Sequence, residues 1–210
     1  MHPSTAFHAD REDALSFIEA HPFATLAVNG PNGPLSALAP LVLGEKASEL
    51  IGHVSRHNPF WQIAGVVPVK AIAIFHGGDA YVSASAYASK KDHGRVVPTW
   101  NYLAVEVRGT LSIEADPEKV RPYIDALTDR METVREQPWS VSDAPADYID
   151  RLSGGIVGLR LSLDEITYVR KLSQNKSDAD KSGVERDLRR SSDTCAHFIA
   201  NEMLNEGNRV

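Results

Sequence analysis

The sequence predicts a mainly β fold with flanking helices, an α+β arrangement closed into a small antiparallel barrel. Three observations carry that expectation. Short runs alternate apolar and polar residues, the period-two signature of half-buried strands. Clusters such as Asn29-Gly30-Pro31-Asn32-Gly33-Pro34 separate the runs as turns between antiparallel neighbours do. Helical stripes stand at the margins, and closing the sheet removes edges that would invite aggregation.

In chain order, Asp10 before Arg11-Glu12-Asp13 reads as the cap of an acidic first helical turn, ending near His21-Pro22. Thr25 to Val28 and Leu35 to Leu43, joined by the Gly-rich turn, form a hairpin. Gly44-Glu45-Lys46-Ala47 turns the chain into a third strand, Leu50 to Val54. Ser55 or Asn58 then caps a short helix carrying Phe60, Trp61 and Ile63. Val69 to Phe75 and Ala80 to Ser83 are expected as a second hairpin around His76-Gly77-Gly78-Asp79. Pro98 opens the next strand, which turns apolar and runs to Ile113. Gly109 within it marks a bulge or a close backbone approach. Asp116-Pro117 starts a helix reaching about Glu136, and Asp147 to Leu152 is a short one. Ile156 to Leu161 and Glu165 to Val169 are expected to pair as a hairpin through Ser162-Leu163-Asp164. The organisation expected is a barrel domain over 1–172, a polar linker over 173–184 and a C-terminal helix over 185–210.

At 210 residues the chain is one ordinary domain, or one domain with an appendage, and its 42% hydrophobic and 24% charged composition is that of a globular protein. No apolar run is long enough to span a bilayer. Met1-His2-Pro3-Ser4 lacks the basic-then-apolar order of a signal peptide, so a cytoplasmic protein without membrane partners is expected. The lone Cys195 excludes an intrachain disulfide and thiolate metal sites. A net charge of −6 supplies no global field for nucleic acid, which leaves Arg186, Arg189 and Arg190 as the local candidate. No helix-turn-helix is visible.

Candidate chemistry gathers in three segments. His53, Ser55, Arg56 and Asn58 stand where a strand meets a helix start, a set of donors suited to a phosphate or to a polar corner. Ser85, Tyr87 and Lys91 sit in a loop whose hydroxyls and ammonium groups suit an anion, with a ring for an aromatic ligand. A solvated loop has the same composition. The loop runs on into Val97-Pro98-Thr99-Trp100-Asn101-Tyr102, where Thr99, Trp100 and Asn101 bring polar and aromatic groups to a strand entry. Lys171 and Lys176 bracket Leu172-Ser173-Gln174-Asn175, again donors for an anion or a heteroaromatic ring. Phosphate loops, dinucleotide fingerprints, nucleophile elbows and zinc-protease pairs are absent from the sequence, so no catalytic or metal-ligating residue is assigned.

These segments, in this order, resemble the PaiB family of FMN-binding negative transcriptional regulators. Val97 to Tyr102 and Lys171 to Lys176 are the most specific, supported by Gly52 to Pro59, and the likeness runs from Met1-His2-Pro3 to about Leu188. The resemblance implies the split β-barrel also found in pyridoxamine-phosphate oxidases and flavin reductases. It implies FMN as cofactor, a homodimer with FMN at the subunit interface, and repression at promoter DNA. The alternative is an FMN-dependent oxidoreductase of the flavin-reductase or pyridoxamine-phosphate-oxidase type. With the residue chemistry, it implies that Arg56, with Ser55 and Lys91, holds the FMN phosphate. Thr99, Trp100 and Asn101 would then line the isoalloxazine, and Lys171 and Lys176 close the site. The family pattern Ser-Pro-Ser-Trp-Tyr is Ser83-Ala84-Ser85-Ala86-Tyr87 here, so Ala86 stands in place of an indole.

Overall fold

The computed structural model describes residues 4–45, 47–64 and 67–207. Met1-His2-Pro3 and Lys46, and the last three residues of the expected C-terminal helix, lie outside them. After a two-residue β1 (His8–Ala9), Asp10 starts α1 (Arg11–Ala20), its Oδ1 accepting the Asp13 N–H at 2.8 Å. The hairpin β2 (Phe23–Gly30) and β3 (Gly33–Leu43) follows, then β4 (Glu49–Ser55) and α2 (Phe60–Ala64). Asn58 is the residue that caps α2, its Oδ1 accepting the Phe60 N–H at 3.0 Å. Next come β5 (Val69–Val82), α3 (Lys90–His93), β6 (Thr99–Glu114), α4 (Pro117–Glu132) and α5 (Ala146–Ser153). The chain ends with β7 (Ile156–Ser162), β8 (Glu165–Lys171), α6 (Asp178–Arg189) and α7 (Thr194–Gly207).

Two compact units divide this chain. One, Leu15–Phe75 with Glu106–Ile166, holds the barrel. Its strands lie in the order β5-β2-β3-β4-β7, and β6 pairs with both β5 and β7, closing the ring. Leu26 sits between Ala37 and Ala73, and Leu161 between Leu50 and Leu111, so alternate side chains of every strand enter one core. Leu26, Leu50, Leu111 and Leu161 are almost wholly buried, each contributing roughly 1.5–3 kcal/mol. At Gly109 a Cβ would stand 1.8 Å from the Ser162 carbonyl oxygen, so the expected close approach is one of β6 to the end of β7. Helix α4 covers the barrel through Tyr123 on Val42 and Ile51, and Arg160 donates to the Tyr123 hydroxyl at 2.8 Å.

The other unit, Met1–Ala14, His76–Val105 and Thr167–Val210, orders β1, β8, the first half of β6 and the last half of β5 into a sheet. Helices α6 and α7 belong to it. Buried Arg170 on β8 is ion-paired with Glu202 at 3.2 Å and Glu206 at 3.0 Å on α7. It also donates to the Tyr168 hydroxyl, whose burial pushes that phenol up to about 12.

Three elements depart from expectation. Residues 76–79 continue β5 instead of turning. The inward set passes from Ala71, Ala73 and Phe75 to Gly78, Ala80 and Val82, an odd-to-even shift that marks an extra residue in the strand. Paired glycines signal a bulge and a turn alike. Strands β7 and β8 do not pair with each other: β7 lies between β4 and β6, and β8 pairs with β1 and β6. The connection between them is held by other strands, with Leu163 N–H on the Ser48 carbonyl and Asp164 N–H on that of Arg108. Finally, the helix expected from Glu185 begins at Asp178, inside the stretch read as linker, and breaks at 190–193 into α6 and α7. Ser177 caps α6 by accepting the Asp180 N–H at 3.2 Å, and only Asp180, Val184 and Leu188 of that helix are buried, so its composition resembles a linker.

Candidate functional site

The unit containing α6 and α7 encloses a cavity of about 390 Å³, lined by Tyr87, Thr99, Asn101, Lys171, Ser173, Asn175 and Lys176, with Ser4, Phe7, Val97 and Pro98 at its wall. Small-molecule pockets are typically about 300–1,000 Å³. Lys171, at the end of β8, donates through Nζ to Thr99 Oγ1 at 2.6 Å and to the Trp100 carbonyl at 2.5 Å. Burial, and then the charge of Lys176, holds its pKa below the ordinary lysine value. The Lys176 ammonium lies 5.4 Å from the centre of the Tyr87 ring. Among the described residues neither ammonium is ion-paired with a carboxylate. Two like charges on one cavity, opposed there by Asp180, which interacts with Lys176 without pairing to it, suit an anionic ligand.

The walls are fixed by hydrogen bonds. Fully buried Asn101 places its side chain within 3.0–3.1 Å of the Ser173 hydroxyl, and its Nδ2 lies 3.6 Å from Met203 Sδ on α7. Tyr87, also buried, hydrogen-bonds Ser173; burial first, then Asp180, raises its phenol pKa. The loop bearing Tyr87 is tied to α6, because Ser89 donates its N–H and its hydroxyl to the two Asp180 oxygens, each at 2.9 Å. The backbone bond from Ser89 is the chief cause that lowers the Asp180 pKa. A Cβ on Gly183 would come within 2.1 Å of the Ala86 carbonyl oxygen, so the helix lies directly on the loop.

The residues singled out from sequence fall into three groups. Tyr87, Thr99, Asn101, Lys171 and Lys176 line one cavity. Ser85 accepts from Lys90 Nζ at 2.8 Å, Lys91 is exposed on α3, and Trp100 is half exposed with its ring edge-on to Tyr81 at 5.8 Å. His53, Ser55, Arg56 and Asn58 belong to the barrel unit, at the end of β4. There Arg56 donates from Nε to the Gly154 carbonyl at 2.7 Å and from Nη2 to those of Ala115 and Ile156 at 2.7 and 3.0 Å. Its own carbonyl accepts Trp61 Nε1 at 2.8 Å, while Ser55 Oγ accepts the His57 N–H at 3.2 Å. The barrel unit has a larger cavity, about 520 Å³, but its Lys70 is already paired with Asp164 at 2.9 Å.

Ser173 and Asp180 were not singled out from sequence. Ser173 lies inside a segment that drew attention for its lysines. Asp180, in a run of alternating charges, carries only one signal, its place three residues after a capping serine.

The closed barrel of one unit defines a protein of the split β-barrel class. Residues 1–165 match the model of the family described as "Putative FMN-binding domain". The chain belongs to that family, and its cofactor is FMN. The cavity's donors and its two ammonium groups fit a phosphate-bearing flavin. The chain is 25% identical to protease synthase and sporulation protein PAI 2 of Bacillus subtilis over 194 residues, 91% of this chain and 90% of that one. Among solved structures it resembles an FAD and heme binding protein of Mycobacterium smegmatis, with a TM-score of 0.55, 18% identity, and coverage of 82% of this chain and 77% of that chain. A conserved hypothetical protein of Mycobacterium tuberculosis aligns with a TM-score of 0.59 and 13% identity over 84% of this chain and 94% of that chain. These structural likenesses show the fold.

Proposed function

We propose that this is a homodimeric FMN-binding regulator that represses transcription, with the flavin phosphate held by Lys171 and Lys176 and the ring system meeting Thr99 and Tyr87. The observation that carries the binding site is the pair of ammonium groups on one cavity, with Lys171 anchored to Thr99 and the Trp100 carbonyl. Asn101, being fully buried, supports the wall. Arg56, expected from sequence to hold the phosphate with Ser55 and Lys91, gives Nε and Nη2 to three carbonyls of the barrel unit and is not part of this proposal. The regulatory role rests on the resemblance of Val97 to Tyr102 and Lys171 to Lys176 to the PaiB family.

The test is FMN titration followed by flavin fluorescence. Lys171→Met is expected to weaken binding about tenfold or more, the scale of one lost charge-assisted contact. Arg56→Ala is expected to lower the unfolding free energy by about 2 kcal/mol, since hydrogen bonds from a charged donor are worth roughly 1.5–3. Unchanged FMN affinity in Lys171→Met would remove the lysine pair from the site.

A second reading, an FMN-dependent oxidoreductase, is favoured by the charge of the C-terminal helices. The α7 sequence Thr194–Gly207 has no Lys or Arg and presents Glu202 and Glu206, while Arg189 on α6 is bonded to Glu185 and Asn201. Of the three arginines expected from sequence that leaves the exposed Arg186 and Arg190, few cations for phosphate backbones, whose neutralisation supplies most DNA affinity. FMN supplies hydride transfer, and the chain need only orient a substrate. NAD(P)H oxidation by the holoprotein, with no salt-sensitive promoter binding, would select this reading over the regulator.

A further inference from the structure

We infer that Ser173 is the positioning residue of the pocket: its left-handed backbone and buried hydroxyl together hold Lys171 and Lys176 on the same cavity. Ser173 has φ +63, and the only other non-glycine residue of positive φ among the described residues is Ala47. Glycine would take that conformation without steric cost, so a side chain here needs a reason. The reason is its hydroxyl. Ser173 is 4% exposed, and its Oγ lies 3.0 Å from Asn101 Nδ2 and 3.1 Å from Asn101 Oδ1 and is hydrogen-bonded to the Tyr87 phenol.

Those partners adjoin the groups that set the lysines: Asn101 follows the Thr99 and Trp100 that hold Lys171, and Tyr87 carries Lys176 over its ring. Thr99 and Asn101 occupy one face of β6, two residues apart, and they are met by Lys171 and Ser173, also two residues apart. The contact of Ser173 with Asn101 thus lies two residues along β6 from that of Lys171 with Thr99, just past the end of β8. The left-handed residue then reverses the chain, with Lys176 N–H donating to the Ser173 carbonyl at 2.9 Å. Gln174 braces the reversal, accepting the Leu172 N–H at 2.8 Å and donating to the Arg170 carbonyl at 2.5 Å. Lys176 thereby returns over the Tyr87 ring whose hydroxyl Ser173 holds. Ser173 acts through Asn101 and Tyr87 and not on a ligand. The family model ends at residue 165, so the whole segment lies beyond the matched region.

The test follows the lysines themselves by 13Cε NMR titration of lysine-labelled full-length protein, and FMN affinity in parallel. The affinity half rests on the function proposed above; the titration half does not. The groups that face Lys171 and Lys176 are each other, the Thr99 hydroxyl on β6, the Tyr87 phenol, and Asp180 on α6. In Ser173→Gly, which suits the left-handed backbone and lacks the hydroxyl, Lys171 is expected to titrate closer to an ordinary lysine. FMN affinity is expected to fall about tenfold, the equivalent of one lost ordering contact. Tyr87→Phe removes one partner of the hydroxyl while leaving residue 173 intact, and should move Lys171 in the same direction. Wild-type titration of Lys171 in both variants overturns the inference. A shifted Lys171 in a protein whose wild type takes up no FMN sustains the positioning role and sinks the flavin site.

Discussion

His53 stands on β4 with its Nδ1 buried and without a hydrogen-bond partner among the described residues, and burial holds its pKa below the ordinary histidine value. The ring is therefore neutral in the folded chain at a pH where the unfolded chain already binds a proton. Between the lowered folded value and about 6.5 the unfolded state carries more protons, so stability falls as pH falls through that window. Urea unfolding midpoints measured from pH 7.5 down to 5 are expected to decline, and His53→Gln to flatten the decline. An identical slope in the variant would assign the pH dependence to other groups. Arg170 and Arg56 show how differently two arginines serve one chain. Arg170 places its charge on two carboxylates of α7, whereas Arg56 gives hydrogen bonds to three carbonyls and, among the described residues, has no carboxylate in ion-pair range.

Helix α6 illustrates what an element's sequence hides. An Ala in place of a helix-interior Gly ordinarily stabilises by about 1 kcal/mol. At Gly183 the added Cβ would meet the Ala86 carbonyl oxygen at 2.1 Å, a backbone atom that cannot swing aside as a side chain can. The steric term wins, so Gly183→Ala is expected to lower the unfolding free energy by about 1–3 kcal/mol, the usual range for overpacking, and to loosen the loop from Ser83 to Lys91. Hydrogen exchange at Ser89, whose amide is bonded to Asp180, would report it, and unchanged protection would show that the helix does not hold the loop. The barrel strands were legible because alternation and turn residues are local. The partners of β7 were not, because a three-residue connection between two strands reads as a hairpin whichever strands they join. In the candidate site Lys171, Lys176 and Thr99 were legible as residue types. Ser173 and Asp180 were not, because their roles come from a backbone reversal and a contact spanning 91 residues of chain.

The whole molecule carries a net charge of −6, so operator binding, if this protein represses, must come from a local cluster. Association between copies has better support in the barrel unit. Its strands close in a ring, with β3 joined to β4 through Leu41–Leu43, and the surface considered for a partner is a sheet face. On the outer face Phe23 and Leu38 are 62% and 63% exposed, on paired strands where Phe23 faces Pro40 and Leu38 faces Thr25. Half-buried Ile72 and Ile74 extend the same face across β5, pairing with Ala27 and Thr25. Contiguous exposed apolar side chains of this kind mark contact surfaces, and a stable homodimer needs roughly 800 Å² from each copy. A charge at the centre of that face would be buried unpaired on association, which costs several kcal/mol. Leu38→Asp, alone or with Phe23→Asp, is therefore expected to sediment at the 22.9 kDa of one chain while the unaltered protein sediments at twice that mass. Side chains on this face point away from the barrel core, so the circular dichroism spectrum should not change. A wild-type protein that sediments as a single chain would end the dimer proposal, and a variant that still pairs would move the interface to another face.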